Sequence, residues 1–152
     1  MKRVLLAAML ALSWTAEASD LSNWSVDREC VASSGIEWSE GNEGMALLAY
    51  NPATNTINFG ASNDQWQFKV DMTEKVLVVF GVDKRVQATA HVFKNTSLIV
   101  IEVPYSKYNE ALVTGSKTMR VYSQNVLILN LELIQVKEAF RSVYTCYTGG
   151  SV

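Results

Sequence analysis

The chain has 152 residues, 49% of them hydrophobic, with 13 basic and 15 acidic side chains and a formal net charge of −2. That length fits a single domain with a real core, and the weakly acidic balance excludes the electrostatic footprint of a nucleic-acid-binding protein. One histidine and two cysteines exclude a structural zinc site unless several carboxylates complete it, and no cofactor motif is present.

Lys2 and Arg3 precede an apolar run over residues 4–14, and Ala16-Glu17-Ala18 has the small-x-small shape that a signal peptidase cuts. A cleaved signal over residues 1–18 is expected, leaving a mature domain over residues 19–152 in the bacterial periplasm or outside the cell. The run is shorter than the roughly 20 residues a membrane-spanning helix needs, and no later segment approaches that length. In an oxidising compartment Cys30 and Cys146 are expected to pair, fastening the two ends of the mature chain.

Residues 23–26 read as a short first strand. Residues 28–44 are rich in Ser, Gly, Glu and Asn and read as a long loop or loose hairpin carrying Cys30. An apolar strand over 45–50, a turn at Asn51-Pro52-Ala53-Thr54-Asn55 and a return strand over 56–59 follow. Trp66, Phe68, Val70 and Met72 alternate with polar residues, which predicts a half-buried strand. Residues 76–82 form a continuous apolar run suited to burial on both faces. Strands over 86–93 and 98–103 flank a turn at Lys94-Asn95-Thr96-Ser97.

After Pro104, residues 105–113 predict a short helix ended by Gly115, with Tyr108, Ala111 and Leu112 inward. Strands over 118–122 and 126–133 come next. Val136, Ala139, Phe140, Val143, Tyr144 and Tyr147 then carry the stripe of an amphipathic helix stopped by Gly149-Gly150. The predicted fold is mainly β (α+β), an antiparallel β-sandwich or curled sheet with a short helix and a C-terminal amphipathic helix.

The catalytic inventory is poor. His91 falls on the wetter face of its strand with Gln87, Thr89 and Phe93, and no local motif supplies it with a nucleophile or a carboxylate. Glu37, Glu40 and Glu43 recur at three-residue spacing around Trp38, an aromatic on which a sugar could stack. Two carboxylates suffice for glycoside hydrolysis, but this stretch offers little apolar material for a pocket that raises a carboxyl pKa. Ser34, Gly35, Glu37, Trp38, Glu40 and Glu43 better suit a binding loop: a flexible backbone, an aromatic anchor and negative charge for a basic partner.

The tryptophan strand Trp24-Ser25-Val26 followed by Cys30, the segment Val79-Phe80-Gly81-Val82-Asp83, and the ending from Leu112 to Cys146 form a recognisable order. That order resembles small exported bacterial proteins of the invasion-associated locus B type and related periplasmic β proteins of uncharacterised role. The resemblance implies a periplasmic β-sandwich with appended helices and implies no enzyme. Members of that family usually carry further cysteines in the middle of the chain, which this sequence lacks. Ser34-Gly35-Ile36-Glu37-Trp38 is also similar to the serine-glycine-x-x-tyrosine loop of some periplasmic lysozyme inhibitors, with tryptophan in place of tyrosine.

The leading expectation is a non-catalytic exported binding protein acting through a protein partner, as an inhibitor or immunity factor against an envelope hydrolase or toxin. The alternatives are a carboxylate-dependent envelope glycoside hydrolase and a structural component of an envelope complex.

Overall fold

The computed structural model describes residues 24–38 and 41–149; the predicted signal and Glu40 lie outside them. Trp24 leads into β1 (Ser25–Val26). Asp27 then shapes a tight turn, its carboxylate accepting hydrogen bonds from the backbone N–H groups of Glu29 and Val31. The chain re-enters the sheet as β2 (Ala32–Glu37), turns through Gly41, and returns as β3 (Glu43–Asn51). The Ser- and Gly-rich stretch is thus the hairpin of the two expected possibilities, with a six-residue strand inside it.

Asn51 caps the following turn by accepting from Ala53 N and Thr54 N, and Asn55 takes the left-handed conformation that lets β4 (Thr56–Ser62) return antiparallel. The expected strand through Trp66 and Phe68 does not form. Residues 63–71 lie outside the sheet: they open with a turn closed by Trp66 N to Asn63 O and are tied to the turn near Asn95 by hydrogen bonds from Phe68 N to Thr96 O and from Asn95 N to Phe68 O. The alternation still has a cause: Trp66 and Phe68 are buried while Gln65, Gln67 and Lys69 face solvent.

Next come β5 (Met72–Phe80), β6 (Lys84–Val92) and β7 (Leu98–Pro104). Helix α1 (Lys107–Gly115) starts at Ser106, whose hydroxyl accepts from Asn109 N. Strands β8 (Thr118–Ser123) and β9 (Val126–Glu132) form a hairpin whose loop residues, Gln124 and Asn125, both have positive φ. Helix α2 (Val136–Thr148) ends at Gly149 in the left-handed conformation. In α1 the inward residue is Val113, with Leu112 half-buried; Tyr108 is 61% exposed and Ala111 is also exposed. Glu110 accepts a hydrogen bond from the Tyr105 hydroxyl at 2.9 Å on the side of the helix that faces the preceding segment.

All nine strands form one antiparallel sheet in the order β1-β2-β3-β4-β7-β6-β5-β8-β9. The sheet curls into a half-barrel, a curled sheet and not a sandwich. Its inner face carries Leu48, Ile57, Phe59, Ile99, Ile101, Val78, Phe80, Val121 and Leu129. Helix α2 packs over β1, β2 and β3, adding Phe140 and Val143 to the core; emptying the Phe140 site would cost about 3–5 kcal/mol. The Trp24 indole donates to the carbonyl of Ile134 at 3.0 Å, joining the first edge of the sheet to the segment that follows its last strand. Among the described residues no helix is long and apolar enough to cross a membrane.

Candidate functional site

The β2–β3 hairpin sorts its candidate residues by face, because side chains alternate along a strand. Ala32, Ser34, Ile36 and Trp38 point inward and are buried, whereas Gly35, Glu37, Glu43 and Met45 lie on the outer face. Trp38, expected as an exposed anchor, is 1% exposed. Its indole N–H donates to Ser62 O at 2.9 Å, and its ring lies 5.1 Å from that of Trp66. The tryptophan is therefore a nail driven from the hairpin tip into the core. Its burial follows from the burial value of so large a ring and from an acceptor already in place for its polar edge.

On the outer face, Glu37 stands opposite Glu43 and Gly35 opposite Met45 in the strand register. Met45 is 48% exposed, and the space beyond Gly35 is open for at least 4 Å. The tip is braced besides by Trp38 N to Asn42 O and Gly41 N to Trp38 O, and at its base by Asp64 N to Glu43 O. Two carboxylates and an adaptable thioether thus stand on a hairpin whose Trp38 is tied to the backbone at Ser62.

The disulfide joins Cys30 to Cys146 across 116 residues, with the Cα atoms 5.5 Å apart. It fixes the turn before β2 to the last turn of α2, so the hairpin is anchored from behind as well as at its tip.

His91 has company that its sequence neighbours do not provide. Its Nδ1 shares a 3.0 Å hydrogen bond with Thr73 Oγ1 on β5, and its Nε2 lies 3.2 Å from Glu102 Oε2 on β7. The order hydroxyl, imidazole, carboxylate is that of a hydrolytic triad, yet the three groups lie on the outward face of three neighbouring strands. A triad also needs donors aimed at a developing oxyanion; the nearest additional pair, Lys75 Nζ to Thr89 Oγ1 at 3.3 Å, continues a row of cross-strand contacts. The arrangement acts as a polar clasp across β5, β6 and β7.

A second grouping lies around the β5–β6 turn. Leu77 and Val79 floor an open groove of about 340 Å³ walled by Val82, Asp83, Arg85, Arg120, Tyr122 and Asn125. In the register, Val79 sits between Arg85 on β6 and Arg120 on β8. Neither arginine was singled out in the sequence, because β5 pairs with β8 across an intervening 38 residues or more and no local pattern announces that neighbour. Among the described residues no group of three or more His, Cys, Asp or Glu side chains could hold a metal ion.

No protein-family model, curated protein or solved structure matches this chain. The geometry of these surfaces therefore carries the functional reading.

Proposed function

We propose that the mature chain is a non-catalytic binding protein of the periplasm or the extracellular space that acts through a basic protein partner, as an inhibitor or immunity factor against an envelope hydrolase or toxin. The observation that carries this reading is the outer face of the β2–β3 hairpin, where Glu37 faces Glu43 beside Gly35 and the exposed Met45. Acidic side chains at the rim of a contact steer a basic partner during encounter, and a methionine fits its side chain to irregular apolar surfaces. Rigidity adds to affinity because little ordering entropy remains to be lost on binding. Here the disulfide and the Trp38 anchor supply it. Ser34 and Trp38 serve the reading from beneath, as supports of the contact face.

The test uses the purified mature protein and its Glu37→Lys/Glu43→Lys variant as parallel baits in a periplasmic extract. A basic protein should be retained by the first and lost by the second. Its association rate should fall about tenfold at low salt on charge reversal, with a flatter dependence on ionic strength. A partner held equally well by both baits would remove the hairpin from the contact.

A further inference from the structure

The groove beside the β5–β6 turn has the opposite electrostatic character. Val79 lies in strand register with Arg85 on one side and Arg120 on the other, which sets their backbones roughly 9.5 Å apart across two strand spacings. Arg120 directs Nη2 to the carbonyls of Gly81 and Val82, each at 3.1 Å, and Nη1 to the Tyr122 hydroxyl at 3.3 Å. These acceptors are all neutral, so none of these bonds offsets its charge. Arg85 forms no ion pair among the described residues. Asp83 is the one carboxylate of the lining, set against two guanidinium groups.

The turn itself adds an apolar element. Phe80 pairs with Lys84, leaving Gly81, Val82 and Asp83 as the loop, and Gly81 has φ +62°. Arg120 braces two of its carbonyls, and Val82 stands 91% exposed at the rim of the groove that Leu77 and Val79 floor. A loop tip usually carries a polar residue; here an aliphatic side chain is held out in water by a buttressed backbone.

We infer that this groove is a second docking surface, taking a partner segment that sets a carboxylate beside an aliphatic or aromatic side chain. The carboxylate sits between Arg85 and Arg120, where a fork-shaped guanidinium donates paired hydrogen bonds, and the apolar side chain lies against Val82, Leu77 and Val79. An open groove on a sheet face encloses no acyl chain, so a peptide segment fits it and a lipid does not. The strand register puts this groove at the end of the sheet opposite the β2–β3 tip: Glu43 lies at the same end as Ser62, Leu98, Val92 and Met72, whereas Phe80 and Lys84 lie at the other. The two surfaces can therefore be tested independently.

The probe is a phage-displayed library of random heptapeptides, selected on the mature protein and counter-selected on its Arg85→Gln variant. Enriched peptides should share an aspartate or glutamate next to a leucine, isoleucine or aromatic residue. Calorimetry on the best of them should show affinity falling about tenfold in Arg85→Gln and about threefold in Val82→Ser. Both substituted side chains are exposed, so the urea midpoint should not move. Failure of any peptide to enrich over the Arg85→Gln counter-selection would overturn the inference, as would enriched peptides lacking an acidic residue. Basic peptides whose binding disappears in Glu37→Lys/Glu43→Lys would report the hairpin and likewise count against the groove.

Discussion

At Gly44 a hydrogen atom is all that the start of β3 can carry toward β4. A Cβ there would overlap the carbonyl oxygen of Ser62, a backbone atom that cannot swing aside, and would come 2.8 Å from Trp38 Nε1. The same carbonyl accepts the Trp38 indole hydrogen bond, so one substitution strikes both the strand approach and the anchor of the hairpin tip. Gly44→Ala should cost about 3 kcal/mol in urea unfolding, at the upper end of overpacking penalties. Gly35→Ala is the control: nothing lies within 4 Å of its added methyl group, and its stability should stay within about 0.5 kcal/mol of the parent. The fate of Trp38 was half legible beforehand. Ala32, Ser34, Ile36 and Trp38 keep a period of two, but Ser33, Ser34 and Gly35 dilute the pattern until it reads as loop. What no sequence pattern carries is the acceptor on Ser62, 24 residues away, that makes burial of the indole affordable.

Among the elements, the alternating strands from β6 to β9 and the amphipathic α2 were plain from their periods, because each buries one face against the same concave core, whereas β2 reads as loop and α1 is expected to turn inward Tyr108 and Ala111, both of which are exposed. The segment 63–71 departs from the strand its pattern predicts for a physical reason: alternation of buried and solvent-facing side chains is shared by strands and by irregular segments laid along the core. Only the pairing of its N–H and C=O groups tells them apart. Its bonds go to turns, and its aromatic rings fill the end of the half-barrel near Trp38. Tyr105, just before α1, is tied to that helix through Glu110 and stacks on Tyr144 of α2. Burial, reinforced by the hydrogen bond from the Tyr105 hydroxyl to Glu110 Oε2 at 2.9 Å, pushes the phenol well above its ordinary value of 10.0. The folded state therefore favours the protonated form. That contribution is complete below pH 10.0 and is lost as the pH climbs through the raised folded value. Urea midpoints followed from about pH 8 to about pH 11.5 should fall more steeply for the parent than for Tyr105→Phe. Parallel curves would dissociate Tyr105 from the alkaline loss.

For the molecule as a whole, the disulfide was the most legible tertiary contact, since two cysteines in one chain leave a single pairing. Strand order was not legible. The neighbours β4 with β7 and β5 with β8 are joined by long connections, and hydrophobic period records which face is buried without recording which strand lies alongside. That is also why the arginine groove escaped notice. Closing a loop of 116 residues predicts a loss of roughly 4–5 kcal/mol when Cys30→Ser and Cys146→Ser are combined. The hairpin should loosen with it, since the turn before β2 would no longer be tied to α2. Urea unfolding of the double variant checks the first point, and amide exchange along β2 checks the second; unchanged exchange at Ile36 and Glu37 would show that Trp38 alone holds the hairpin.

The seam between Trp24 and Ile134 spans 110 positions of the chain, and Cys30 reaches still further, to Cys146. Both contacts bring the first described elements against the last ones, and α2, which follows all nine strands in the sequence, covers β1 and β2. The described elements therefore close on themselves like a clasp: β1, which pairs on one side only, is covered by that last helix, so cutting the helix away would bare the first strands along with it.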